Sequence, residues 1–138
     1  ILSPCSVLIA RGRLGKKGFL LFSDGSEQSL DAVRRTAVLA QHCGRPITLL
    51  SVASVDEDRV VVDAKLQLTR EMLEKMGIEK LEIVSKVGDP MQCIVEMGND
   101  FELISVSEAR SSRLNFLFTH SIAFGVMGAA ASSVLNVK

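Results

Sequence analysis

Apolar residues along this chain recur with two alternating periods, and the alternation predicts its elements. Phe19 to Phe22 is a short apolar run ending at Ser23-Asp24-Gly25-Ser26, where Asp-Gly marks a turn and Ser26 is placed to cap a helix. From Leu30, the positions Leu30, Val33, Ala37 and Ala40 recur at helical spacing as far as Cys43. Gly44 and Pro46 then end the helix. Ile47 to Val52 is apolar on both alternating faces, which suits an interior parallel strand covered by helices above and below. Val62, Leu66, Thr69, Leu73 and Met76 form a second helical stripe, closed by Gly77. Leu81 to Ser85 reads as a strand. Gly88-Asp89-Pro90 then opens a short helix through Met91, Ile94, Val95 and Gly98, with Asp89 as cap and Pro90 in its first turn. Leu103 to Val106 is the next strand, and a long connection from Ser107 to Thr119 leads to the apolar segment Ile122 to Ala131. Ser133 to Val137 is the last strand.

Strands that alternate with helices in this way predict an α/β fold: a doubly wound, five-stranded parallel sheet with helices on both faces. Such sheets hold ligands beyond the carboxyl ends of their strands, where strand order reverses. The candidate loops are Asp24 to Ser26 and Ser107 to Ser121. One further strand precedes the set. Ser6-Val7-Leu8-Ile9-Ala10-Arg11 repeats Ser133-Val134-Leu135-Asn136-Val137-Lys138 in kind. Two readings stand: an ordinary extra edge strand, or the closing strand of a preceding, similar unit. On the second, residues 1–18 are extra strand and linker and residues 19–138 the domain proper. Val7, Leu8 and Ile9 would then pair antiparallel with the stretch that holds Val134, Leu135 and Val137, within this chain or with a neighbour. Ile1 in place of an initiator Met fits a fragment of a longer protein.

Composition narrows the function. The chain has 138 residues, enough for one domain with a real core. Sixteen Lys and Arg balance sixteen Asp and Glu, which removes the electrostatic basis for a nucleic-acid partner. No apolar run of about 18 residues is present to span a bilayer, so direct membrane insertion is not expected. Three scattered cysteines, Cys5, Cys43 and Cys93, suggest a reducing compartment and a cytoplasmic protein, or a cytosolic domain of a larger one.

Over Phe19 to Lys138 the chain resembles the universal stress protein family. The resemblance rests on Asp24-Gly25-Ser26-Glu27-Gln28-Ser29 for the family's D-G-S-x-x-S and on Leu39-Ala40 with Gly44 for its helix end. Gly88-Asp89-Pro90 matches its G-x-P, and Val134-Leu135-Asn136-Val137 its closing V-L-x-V. It implies a Rossmann-like fold, and dimers joined through their last strands. Nucleotide-binding members carry G-x-x-G-x9-G-[ST] after the fourth strand, a spacing that falls here on Ser107, Arg110, His120 and Ser121. All three glycines are replaced, and side chains stand where a bare backbone nest would hold phosphate. Asp24, which in binding members meets the nucleoside, is retained.

The expectation is therefore a non-catalytic stress-response or regulatory domain without a cofactor. It would act as a homodimer, through intramolecular pairing with a similar domain, or through an unidentified protein partner. The alternative is a sensor of ATP or AMP with an atypical phosphate loop, using Asp24, Ser107, Arg110, His120 and Ser121. No nucleophile and base pattern supports catalysis. His42 and His120 with three dispersed cysteines have no metal-ligand spacing, so no metal site is expected. Cys43 and Cys93 are expected to be buried, inert thiols, and Glu102 to be solvated.

Overall fold

A computed structural model describes residues 5–12, 15–107, 122 and 125–137. Among the described residues, six strands and three helices run in the order β1 (Val7–Ile9), β2 (Phe19–Phe22), α1 (Glu27–Cys43), β3 (Ile47–Ala53), α2 (Arg59–Lys75), β4 (Leu81–Val87), α3 (Pro90–Gly98), β5 (Leu103–Ser107) and β6 (Ser133–Val137). Residues 125–129 are helical before β6. The fold is α/β and Rossmann-like, with one six-stranded sheet in the order β1-β6-β5-β2-β3-β4. The contacts among β2 to β6 are parallel, and β1 alone runs antiparallel, on the free edge of β6.

The local chemistry that starts and stops the helices is the one the sequence announces. Ser26 caps α1 by accepting from the Ser29 N–H, and Asp89 caps α3 by accepting from the Gln92 N–H. Gly44 ends α1 in the left-handed region at φ 64°, where an L side chain would strain. Asp58 caps α2 through the Val60 N–H, so that helix begins at Arg59 despite the β-branched run Val60-Val61-Val62.

The sheet divides the interior in two. Phe19 and Leu21 of β2 point into one core with Val33, Ala37, Ala40, Leu49 and Leu73, under α1 and α2. Leu20 and Phe22 point into the other with Leu50, Ile94, Ile104, Val126 and Val134, under α3 and residues 125–129. All four residues of β2 are buried because strands flank it on both sides and helices cover both faces. One polar pair crosses the first core: Thr36 Oγ and Ser105 Oγ lie 2.8 Å apart, and Thr36 also donates to Ala32 O.

The connection between β1 and β2 is docked, not a loose spacer. The Lys16 and Lys17 N–H groups both donate to Asp100 O, at 3.1 and 3.0 Å. The Arg45 guanidinium donates to Lys16 O and pairs with Glu102, which is held in this contact and not left solvated. Cys43, the last residue of α1, is exposed, and Cys93 is half-buried, so neither thiol is the buried one expected. Among the described residues no helix is long and apolar enough to cross a membrane.

Gly15 has a defined reason to be glycine: a Cβ there would lie 2.3 Å from Asp100 C and Phe101 N, both backbone atoms. Gly12 has open space around it. Gly15→Ala should therefore lower unfolding free energy in urea by about 2 kcal/mol, whereas Gly12→Ala should stay within about 0.5 kcal/mol of the parent.

Candidate functional site

Strand order reverses between β2 and its two neighbours, because the chain leaves β2 toward β3 on one side and returns as β5 on the other. A doubly wound sheet holds ligands outside the carboxyl ends of its strands at such a point, here the ends of the paired strands β2 and β5. Ser23 to Ser26 follows β2 at this point, and Ser107 closes β5.

The turn after β2 is held by a compact hydrogen-bond set. Ser29, buried on the first turn of α1, accepts from the Asp24 N–H at 3.1 Å and shares a 3.0 Å bond with Ser23 Oγ. Ser23 Oγ also accepts from the Gly25 N–H at 3.2 Å. Asp24 Oδ1 accepts from the Ser26 N–H at 2.9 Å, a local turn that uses one carboxylate oxygen and leaves Asp24 exposed at the mouth. Gly25 sits at φ 82°, and a Cβ there would come within 2.7 Å of Lys65 Cδ. The Lys65 stem thus lies over the turn.

Beside this turn is a cavity of about 70 Å³, lined by Ser23, Asp24 and Gly25, by Ser51 and Val52 of β3, by Glu57, and by Val62, Lys65, Leu66 and Thr69 of α2. Its walls combine an apolar surface with an exposed carboxylate and an ammonium stem, the mixture that small-molecule sites use for packing and orientation. Glu57 is fixed by the Ser54 N–H at 2.7 Å. Among the described residues, no cluster of His, Cys, Asp and Glu is placed to hold a metal ion.

The structure brings only part of the anticipated site together. Asp24 and Ser107 stand at the two strand ends that flank the reversal, with Ser107 nearly buried and paired in register with Val137. Arg110, His120 and Ser121 lie outside the described residues. Of the strand-pairing residues, Val7 faces Asn136, Leu8 faces Leu135 and Ile9 faces Val134. Val137 lies beyond this ladder. The wall formed by Glu57 and Lys65 went unread in the sequence. Its signal was present: Lys65 stands three residues after Val62 and one before Leu66, a cation on the edge of an otherwise apolar stripe.

Comparison with known proteins accounts for this arrangement. The model of a family described as the universal stress protein family matches residues 17–138. No curated protein matches. Among solved structures, a universal stress protein in complex with cAMP is 22% identical and has a TM-score of 0.73, with 88% of this chain and 96% of that one covered. The universal stress protein from Archaeoglobus fulgidus in complex with dAMP is 20% identical at TM-score 0.68, over 91% and 99% of the two chains. A further universal stress protein, from Archaeoglobus fulgidus DSM 4304, is 17% identical at TM-score 0.75. There the match covers 96% of this chain but 49% of the other. This chain thus spans about half the length of that relative.

These findings correct one expectation. Loss of the three loop glycines leads to the expectation of a domain without a cofactor that acts through dimerisation or protein contact. Two structures of this fold hold a nucleotide, cAMP in one and dAMP in the other, so that inference does not stand. The glycine spacing falls on Ser107 to Ser121, of which only Ser107 lies among the described residues. The Asp24 turn, the end of β3 and the face of α2 line a cavity without that segment.

Ser29 is the residue on which the turn's geometry rests. Ser29→Ala strands the Asp24 N–H and should cost about 1–2 kcal/mol in chemical denaturation, more than a surface serine such as Ser85.

Proposed function

Because the chain belongs to the universal stress protein family, a family of non-catalytic regulatory modules, we propose that it is a sensor domain that binds an adenine nucleotide, AMP or ATP, beside the Asp24 turn. The cavity beside the Asp24 turn, between the ends of β2 and β3 and the face of α2, carries this reading. The cAMP and dAMP complexes of proteins with the same fold support it.

In this reading Val52, Val62 and Leu66 offer apolar surface to the base. The Asp24 carboxylate accepts from ribose hydroxyls, as an exposed acceptor beside the cavity can. The phosphates meet side chains in place of a backbone nest. Ser107, His120 and Ser121 supply hydrogen bonds, and Arg110 a guanidinium whose forked N–H groups match phosphate oxygens. An arginine side chain is a movable donor, so such a site gives up the preorganisation of glycine backbone and gains charge.

The same reading places residues 1–18 as strand and linker and residues 19–138 as the nucleotide-binding unit, which pairs with a similar unit in a tandem protein or a homodimer. Support comes from the repeated strand sequence and from the relative in which this chain matches half the length.

Calorimetry and thermal unfolding with AMP, cAMP and ATP test the proposal. Ligand at a hundredfold over Kd stabilises by about 2.7 kcal/mol. For a domain of this size that raises Tm by about 9 °C. Asp24→Ala and Arg110→Ala should each weaken binding about tenfold, or roughly 1.4 kcal/mol. Absence of both heat and stabilisation with all three nucleotides would reject the proposal.

A further inference from the structure

Three hydroxyl side chains line the cavity beside the Asp24 turn: Ser23 after β2, Ser51 on β3 and Thr69 on α2. Two of them are engaged. Ser23 Oγ shares a 3.0 Å bond with Ser29 Oγ and accepts from the Gly25 N–H at 3.2 Å, and Thr69 Oγ1 donates to Lys65 O at 3.0 Å within its own helix. Ser51 differs. Its hydroxyl has no hydrogen-bond partner among the described residues, although the residue is only 8% exposed.

The strand explains where this hydroxyl stands. Side chains two apart on a strand share a face, and Ile47 and Leu49 of β3 belong to the core under α1 and α2. Ser51 therefore lies on that face as well, where it shares the cavity wall with Val62, Leu66 and Thr69 of α2. A buried hydroxyl without a partner costs the fold free energy that alanine at the same position would not. Because Ser51 forms part of the cavity wall, a polar group that enters the cavity is the one placed to satisfy it.

The chemistry of a nucleoside says which group that is. With the ribose held by Asp24, which is exposed at the mouth, the base enters with its sugar-bearing nitrogen outermost and the opposite edge innermost. In adenine the substituent farthest from that nitrogen is the exocyclic 6-amino group, a pair of N–H donors. We propose that Ser51 is the base-positioning residue of the cavity: its Oγ accepts from the 6-amino group and so fixes the depth and rotation of the base under α2. This inference rests on the reading of the cavity as a nucleotide site and adds to it the residue that recognises the base. The apolar side chains Val52, Val62 and Leu66 supply surface without direction, whereas a hydroxyl bond has both a distance and an angle to satisfy.

The test is a cycle of two proteins and two ligands, read by calorimetry. The ligands are AMP and purine riboside 5′-monophosphate, which is AMP without its 6-amino group. The parent should bind AMP about fivefold more tightly than the amine-free nucleotide, and Ser51→Ala should lose about the same factor for AMP. In Ser51→Ala the two ligands should bind within about twofold of each other, since the contact that separates them is gone. Without ligand, Ser51→Ala should unfold at the same urea concentration as the parent or a higher one, a result that a structural role for the hydroxyl would reverse. Unchanged AMP affinity in Ser51→Ala, a preference for the amine that survives the substitution, or a lowered urea midpoint would each overturn the inference while leaving nucleotide binding in place. A parent chain that binds neither ligand would overturn it together with the reading it rests on. Should Ser51→Ala not fold, Ser51→Cys keeps the shape, makes only weak hydrogen bonds and carries the same expectations for the two ligands.

Discussion

Everything in this molecule is arranged around the four buried residues of β2. Phe19 and Leu21 face one core and Leu20 and Phe22 the other, so a single short strand ties the two hydrophobic layers together. Burial on both faces leaves β2 no solvated side, and its N–H and C=O groups must then be satisfied by neighbours on both edges. β3 and β5 supply them in parallel register. Parallel neighbours need crossover helices: the chain leaves β2 through α1 to β3 on one side and returns from β4 through α3 to β5 on the other. The crevice beyond β2 is thus a consequence of burying Phe19 to Phe22, and the Asp24 turn opens there because the strand has nowhere else to end.

Sequence reasoning reached most of this fold because its signals are local. Ser26, Asp89, Pro90 and Gly44 act within one helical turn, and the apolar spacing of α1 and the burial of β3 each declare a period over a short window. What it misjudged depends on a helix's end or on distant partners. Cys43 keeps the spacing of the buried stripe of α1 but is the last residue of that helix and is exposed, and Glu102 meets Arg45 across 57 positions of sequence. The docking of Gly15 against Asp100 and Phe101 is likewise invisible without the third dimension.

The candidate site shows the same division. Asp24 was legible because an Asp-Gly-Ser turn after a buried strand is a local motif. The α2 wall was not, since Lys65 and Thr69 approach Asp24 through the packing of α2 over the sheet. The glycine spacing bears on the segment after β5 alone, whereas the cavity is lined by the Asp24 turn, the end of β3 and α2, so the loss of those glycines leaves that lining unchanged.

The sheet's two edges are protected by different means, and the difference bears on association. β4 carries exposed Glu82, Ser85 and Lys86, and charge on an edge strand discourages another strand from pairing with it. β6 has no such charges between Ser133 and Val137. Val134, Asn136 and Val137 are buried, so uncovering this strand would present both unpaired backbone groups and apolar side chains to water. Such an edge needs a cover, and a strand of matching sequence is the cover it has.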